Sequence, residues 1–225
     1  RFTDPKDIFR SGLHTLIQGI TGSGKTTLLL QLEYWMVKAM KYKVLKRDDS
    51  GLEFIFLLPK IGSRTVIYVP EHPNVVAEIS DPHGAEIYPF ANAQDIVNDF
   101  EKRPRGTYGV IIYDLYVLDI GKTALFWNDL LRRFIKNVMQ KPFEEKENIV
   151  LSIDELNDLI QPSTKAISEA HRKVAGQFTL GLRKVRKHKI KIIATTHRFN
   201  MVGLDARSQF HNIIIKQSYG WDVYD

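Results

Sequence analysis

The chain has 225 residues, 44% of them hydrophobic, with 32 lysines and arginines against 26 aspartates and glutamates and no cysteine. That is enough apolar material for one sizeable α/β domain, and it excludes a disulfide framework, a thiolate metal site and a cysteine nucleophile. No apolar run reaches the length of about 18 residues that a membrane span requires, and the N-terminus carries no signal-peptide pattern. The expectation is a soluble, cytoplasmic protein without membrane insertion, whose formal charge of +6 and pI of about 9.3 point to an acidic partner.

Residues 1–12 read as an irregular lead-in. Leu13-His14-Thr15-Leu16-Ile17-Gln18 then reads as a short buried strand, and Gly19-Ile20-Thr21-Gly22-Ser23-Gly24-Lys25-Thr26 spells the phosphate-binding pattern G-x-x-x-x-G-K-[ST]. Glycines 19, 22 and 24 let the backbone approach a polyphosphate, with N–H groups and the following helix N-terminus aimed at the anion. Thr21, Ser23 and Thr27 complete the predicted cradle. Lys25 supplies a charge between the β- and γ-phosphates, and Thr26 a hydroxyl for Mg²⁺. The next helix is expected over about Thr26 to Lys41, apolar on most sides through Leu28, Leu29, Leu32, Trp35, Met36 and Met40, and packed between the sheet and another layer.

Between Lys43 and Tyr108 the pattern is least transparent. Strands are expected at Glu53–Leu58, Thr65–Val69 and Ala85–Phe90, one of them the second core strand, so that residues 43–108 carry an inserted β-rich segment in a single domain over 1–225. A short helix over Ala93–Phe100, a strand over Tyr108–Tyr113 and a helix over Thr123–Met139 follow. Alternating strands and helices predict an α/β fold with a mainly parallel sheet flanked by helices.

Asn148-Ile149-Val150-Leu151-Ser152-Ile153-Asp154-Glu155 is a strand ending in adjacent carboxylates, the Walker B form with a following glutamate. Asp154 is assigned to Mg²⁺, and Glu155 to polarising an attacking water beside the γ-phosphate. From Lys165 to Lys191, nine basic residues face the single acid Glu169. This stretch is a candidate surface for nucleic-acid phosphates. The strand Ile190–Thr196 ends at His197 and Arg198, with Thr196 and His197 as candidate γ-phosphate sensors, and Gln209–Lys216 supplies a last strand.

The string from Leu13 to Thr26, the Ile153-Asp154-Glu155 strand end and Ala194-Thr195-Thr196-His197-Arg198 together resemble the FtsK–HerA superfamily of P-loop ATPases. The resemblance implies a RecA-like P-loop NTPase core holding Mg²⁺-ATP at the subunit boundaries of a homo-oligomeric, commonly hexameric, ring that translocates double-stranded DNA. It also implies an arginine finger acting across subunits, with Arg207 the first choice and Arg172 and Arg183 behind it. Two departures stand out. His197 occupies the place of the family's usual sensor glutamine, and the Asp-Pro-Lys-like end of the second strand has its best counterpart in Val69-Pro70-Glu71. An assembly ATPase of the AAA+ type acting on a protein is the alternative. A small-molecule kinase fits less well, because Asp154-Glu155 suits activation of water.

Overall fold

A computed structural model of the chain describes residues 8–9, 13–48, 64–71, 85–114, 117, 119–160 and 169–217. Eight strands form one sheet in which every pairing is parallel: β1 (His14–Gln18), β2 (Lys43–Arg47), β3 (Thr65–Pro70), β4 (Glu86–Phe90), β5 (Tyr108–Ile111), β6 (Ile149–Ile153), β7 (Ile190–Thr196) and β8 (Phe210–Ile215). Their order is β4-β3-β5-β2-β6-β7-β1-β8. Consecutive strands are mostly not neighbours, so the chain crosses over the sheet between them, as parallel pairing demands.

Among the described residues the helices that concern the sheet and the site are α1 (Lys25–Lys38), α2 (Ala93–Lys102), α3 (Ile120–Gln140), α4 (Leu156–Leu159), α5 (Glu169–Val185) and α6 (Leu204–Arg207). Two apolar layers follow from strand alternation. On one face Leu45, Ile111, Leu151, Ile153 and Ile192 pack with α2, α3 and α5 through Phe100, Phe134, Phe178 and Leu182. On the other, Ile17, Val44, Val110, Val150 and Ile193 pack with α1 through Leu29, Leu32 and Met36. Asn92 and Asp95 form a capping box that starts α2, and Asp119 caps α3.

Three expectations are corrected here. The second core strand is β2, in the middle of the sheet between β5 and β6, and not one of the later apolar runs. Its sequence, Lys-Val-Leu-Lys-Arg, hides it, because all five residues are buried and the cations are neutralised by side chains far away in sequence. Lys46 reaches the α1 face, 3.9 Å from the fully buried Glu33, which also receives the hydroxyls of Tyr108 and Ser152. Burial pushes the Glu33 carboxyl up, with Lys46 pulling it back. The strand therefore ends in Lys46-Arg47-Asp48, and Val69-Pro70-Glu71 belongs to the end of β3. The second correction concerns α1: it stops at Lys38, and Trp35 is 56% and Met40 43% exposed, so among the described residues only one side of the helix is covered. The third concerns Lys191, which lies on β7 and is 1% exposed. It is no part of a basic surface. The expected strand at Glu53–Leu58 lies outside the described residues, as does Lys165.

Candidate active site

The site is built where β1, β6 and β7 end side by side. Gly22 and Gly24 take φ angles of 77° and 82°, and Gly24 passes directly into α1 with no side-chain cap on that helix end. The first-turn N–H groups of α1 are thereby left for an anion. At Gly19 a Cβ would stand 2.5 Å from the Ser23 hydroxyl and 2.9 Å from Lys216 Cβ, so only glycine fits. The loop is closed by Ser23 N–H donating to the Ile20 carbonyl at 3.1 Å. It is stitched to the end of β8 by Ile20 N–H donating to the Gln217 carbonyl at 2.9 Å.

The two halves of the predicted machinery meet across the α1 face of the sheet. Thr26 Oγ1 donates to Asp154 Oδ2 at 3.0 Å. Lys25, only 5% exposed, directs its Nζ to the Ile20 carbonyl and to His197 Nδ1, each at 3.3 Å, and lies 3.9 Å from Glu155 Oε1. His197 Nε2 is 3.1 Å from the same Glu155 oxygen. Burial, and then the Lys25 charge, lower the His197 pKa from its ordinary 6.5. A neutral ring satisfies both contacts at once: Nδ1 accepts from Lys25 while Nε2–H donates to Glu155. Ile20, Thr21, His197 and Arg198 line a cavity of about 330 Å³ in front of this cluster.

Strand alternation decides which threonine of β7 joins the site. Thr195 lies on the α1 side, donating from Oγ1 to Asp154 Oδ1 at 2.5 Å and accepting the Glu155 N–H at 2.9 Å. Thr196 points through the sheet to the other side, where its hydroxyl bonds Asn157 Oδ1 at 3.2 Å and the Arg198 carbonyl at 3.1 Å. The structure thus brings Thr195 against Asp154, while Thr196, expected as a candidate γ-phosphate sensor, faces the other side of the sheet. The period of two was the signal available in the sequence: Asp154 and Val150 share a face, and so do Thr195 and Ile193.

Among the other predicted residues, Thr21 and Thr27 are exposed on the loop and first helical turn, and Thr21 Oγ1 is 3.5 Å from His197 Nδ1. Arg207 is outside the cluster, its guanidinium carbon 4.7 Å from the Phe199 ring centroid. Arg172 and Arg183 are exposed on α5. Sequence reasoning missed Lys216, whose Nζ comes within 4.0 Å of where a Gly24 Cβ would stand.

The residues fit a Mg²⁺-nucleoside triphosphate. The Ser23 hydroxyl is buried with no hydrogen-bond partner among the described residues, as a donor kept for a phosphate oxygen would be. Thr26 and Asp154 pair a hydroxyl with a carboxylate, the oxygen donors a hard cation takes.

Solved structures share the fold. The DNA-packaging ATPase B204 from Sulfolobus turreted icosahedral virus is 19% identical, with TM-score 0.52, over 91% of this chain and 75% of its own. The genome-packaging NTPase B204 of Sulfolobus turreted icosahedral virus 2, in complex with AMPPCP, gives 15% and 0.54 over 94% and 79%. The fold is that of a P-loop NTPase. The bacterial conjugative coupling protein TrwBΔN70 shares it too, at 13% identity and TM-score 0.55 over 93% of this chain and 69% of that one. No family model and no curated protein sequence matches the chain. No helix among the described residues is long and apolar enough to cross a membrane.

Proposed function

We propose that the chain is a Mg²⁺-dependent ATPase that works as a homo-oligomeric motor on double-stranded DNA in the cytoplasm, in genome packaging or transfer. The observation that carries the hydrolytic part is the convergence of Lys25, Thr26, Asp154, Glu155 and His197 on one face at the ends of three adjacent strands. Gly19 to Thr27 would cradle the phosphates of ATP. Thr26 and Asp154 would hold Mg²⁺, which when bound neutralises phosphate charge and orients the γ-phosphate. Lys25 adds positive charge where negative charge builds up during transfer. Glu155 Oε1 takes a proton from the attacking water, and His197 keeps that carboxylate oriented through Nε2–H.

DNA as the polymer is supported by the DNA-packaging ATPase and the conjugative coupling protein that share the fold, and by the exposed basic side chains of α5 and its exit, among them Arg172, Arg183, Lys184, Arg186 and Lys187. Phosphate contacts of this kind grip without reading sequence. A hexameric ring with Arg207 reaching the neighbouring site is the finer form of this reading. The test is steady-state ATP hydrolysis with and without linear double-stranded DNA across a salt series, beside Lys25→Ala. Stimulation that fades steeply with salt supports the motor. Hydrolysis that DNA never changes points instead to an assembly ATPase with a protein partner.

A further inference from the structure

Glu155 stands at φ 51° and ψ 63°, the left-handed region that a side chain with a Cβ enters at a cost. Something must hold it there, and the contacts name the holder. Arg47, the last residue of β2 and 4% exposed, donates from Nη1 to the carbonyl oxygens of both Asp154, at 2.8 Å, and Glu155, at 3.2 Å. The rest of its guanidinium is fixed from behind. Nε and Nη2 grip Asp114 Oδ2 at 2.6 and 2.5 Å, and Nη2 lies 3.7 Å from Asp158. Asp114 is in turn fixed by the indole N–H of Trp127 on α3 at 2.7 Å, and that ring lies 5.9 Å from the guanidinium carbon. On the other side of the peptide, the Glu155 N–H is taken by Thr195.

We infer that Arg47 is a positioning residue for the hydrolytic step: its fork on the two carbonyls holds Glu155 in the left-handed conformation that aims the carboxylate at His197 and Lys25. The inference rests on reading Glu155 as the carboxylate that activates water. Its physical basis is the guanidinium's planar set of donors, which serves two carbonyls and a carboxylate together. A lysine ammonium keeps the charge, but it is a point donor and cannot span the same acceptors. Without the fork the Glu155 backbone relaxes toward the right-handed region. The Cα–Cβ direction of Glu155 then turns away from the cavity, while Gly19 to Thr26 and hence nucleotide binding are untouched.

The experiment compares wild type, Arg47→Lys and Asp114→Asn by kcat for ATP and by the dissociation constant of a fluorescent ATP analogue. The expected result for Arg47→Lys is a fall in kcat of about 10-fold or more with the dissociation constant within about two-fold of wild type, Asp114→Asn falling between. An unchanged kcat, or binding and kcat lost together, overturns the inference. A thermal-unfolding cycle with Glu155→Gly reads the same contact without catalysis, since glycine accepts the left-handed region freely. Arg47→Lys should lower Tm in the Glu155→Gly background and by clearly less in the wild-type background, where losing the fork also releases the strain at Glu155. Equal losses in both backgrounds contradict it. If wild type hydrolyses no ATP, the functional reading fails and this cycle alone decides whether Arg47 holds Glu155.

Discussion

His197 Nε2 lies 3.1 Å from Glu155 Oε1. The same ring accepts from Lys25 on its other nitrogen, so one neutral imidazole joins Lys25 to Glu155. Removing it in His197→Ala should lower kcat by about 10- to 100-fold while leaving ATP binding nearly intact, as single-turnover and binding measurements would show.

The acid side of the pH–rate profile follows from the same ring. Its pKa is lowered from 6.5 by burial and by Lys25, so the imidazole is neutral at pH 7 and takes up its proton only below 6.5. Protonation abolishes the acceptor at Nδ1 and places a second cation beside Lys25. Activity should therefore fall on that side, and His197→Gln, which cannot titrate, should lose this limb while keeping measurable turnover.

Thr195 and Thr196 offer a contrast between neighbours. Thr195→Val removes the donor to Asp154 and the acceptor of the Glu155 N–H, whereas Thr196→Val loses bonds only on the far side of the sheet. The first should cost about 10-fold or more in kcat; the second should show mainly in thermal stability, by about 1 kcal/mol.

How far the sequence could be read turns on what neutralises each charge. The loop from Gly19 to Thr26 and the strand ending in Asp154 were legible because local pattern and fold agree there: apolar runs flank turn residues, and the chemistry-bearing side chains sit at the ends. Strand β2 was not legible. The charges of Lys43, Lys46 and Arg47 break up the apolar run that marks a buried strand, and what pairs them is Glu33, the Glu101 carbonyl, Asp114 and Glu147, brought close only by the fold. Lys191 shows the converse: its place in a basic run suggested DNA, and its place on β7 encloses it. For Thr195 the information lies in strand alternation, which puts it on the Asp154 face of the sheet and Thr196 on the other.

Lys191 also carries a stability prediction. Its Nζ is buried without a hydrogen-bond partner among the described residues, and burial lowers its pKa from 10.5 to about 7. Between those values the unfolded chain holds a proton that the folded one releases, so wild-type stability rises with pH across that window. Lys191→Met should stabilise by about 2 kcal/mol at pH 7, the gain shrinking toward pH 10.5, with DNA affinity unchanged.

His14 predicts the acid side of stability. It is fully buried between β7 and α5, receiving the Ile192 N–H on Nδ1 and facing the Leu182 carbonyl with Nε2, and burial lowers its pKa from 6.5 to about 4. The unfolded chain binds the proton first as pH falls. About 3 kcal/mol of stability should be lost between pH 6.5 and 4, and denaturant titrations of His14→Gln should show a flatter slope there.

If Glu155 activates the attacking water, hydrolysis and ATP binding separate at this residue. The direct measurement is phosphate release by wild type and Glu155→Gln under saturating Mg²⁺-ATP, with ATP binding measured on the same samples. The expected result is unimpaired binding and turnover reduced by about 100-fold or more in Glu155→Gln. Release at the wild-type rate would contradict it.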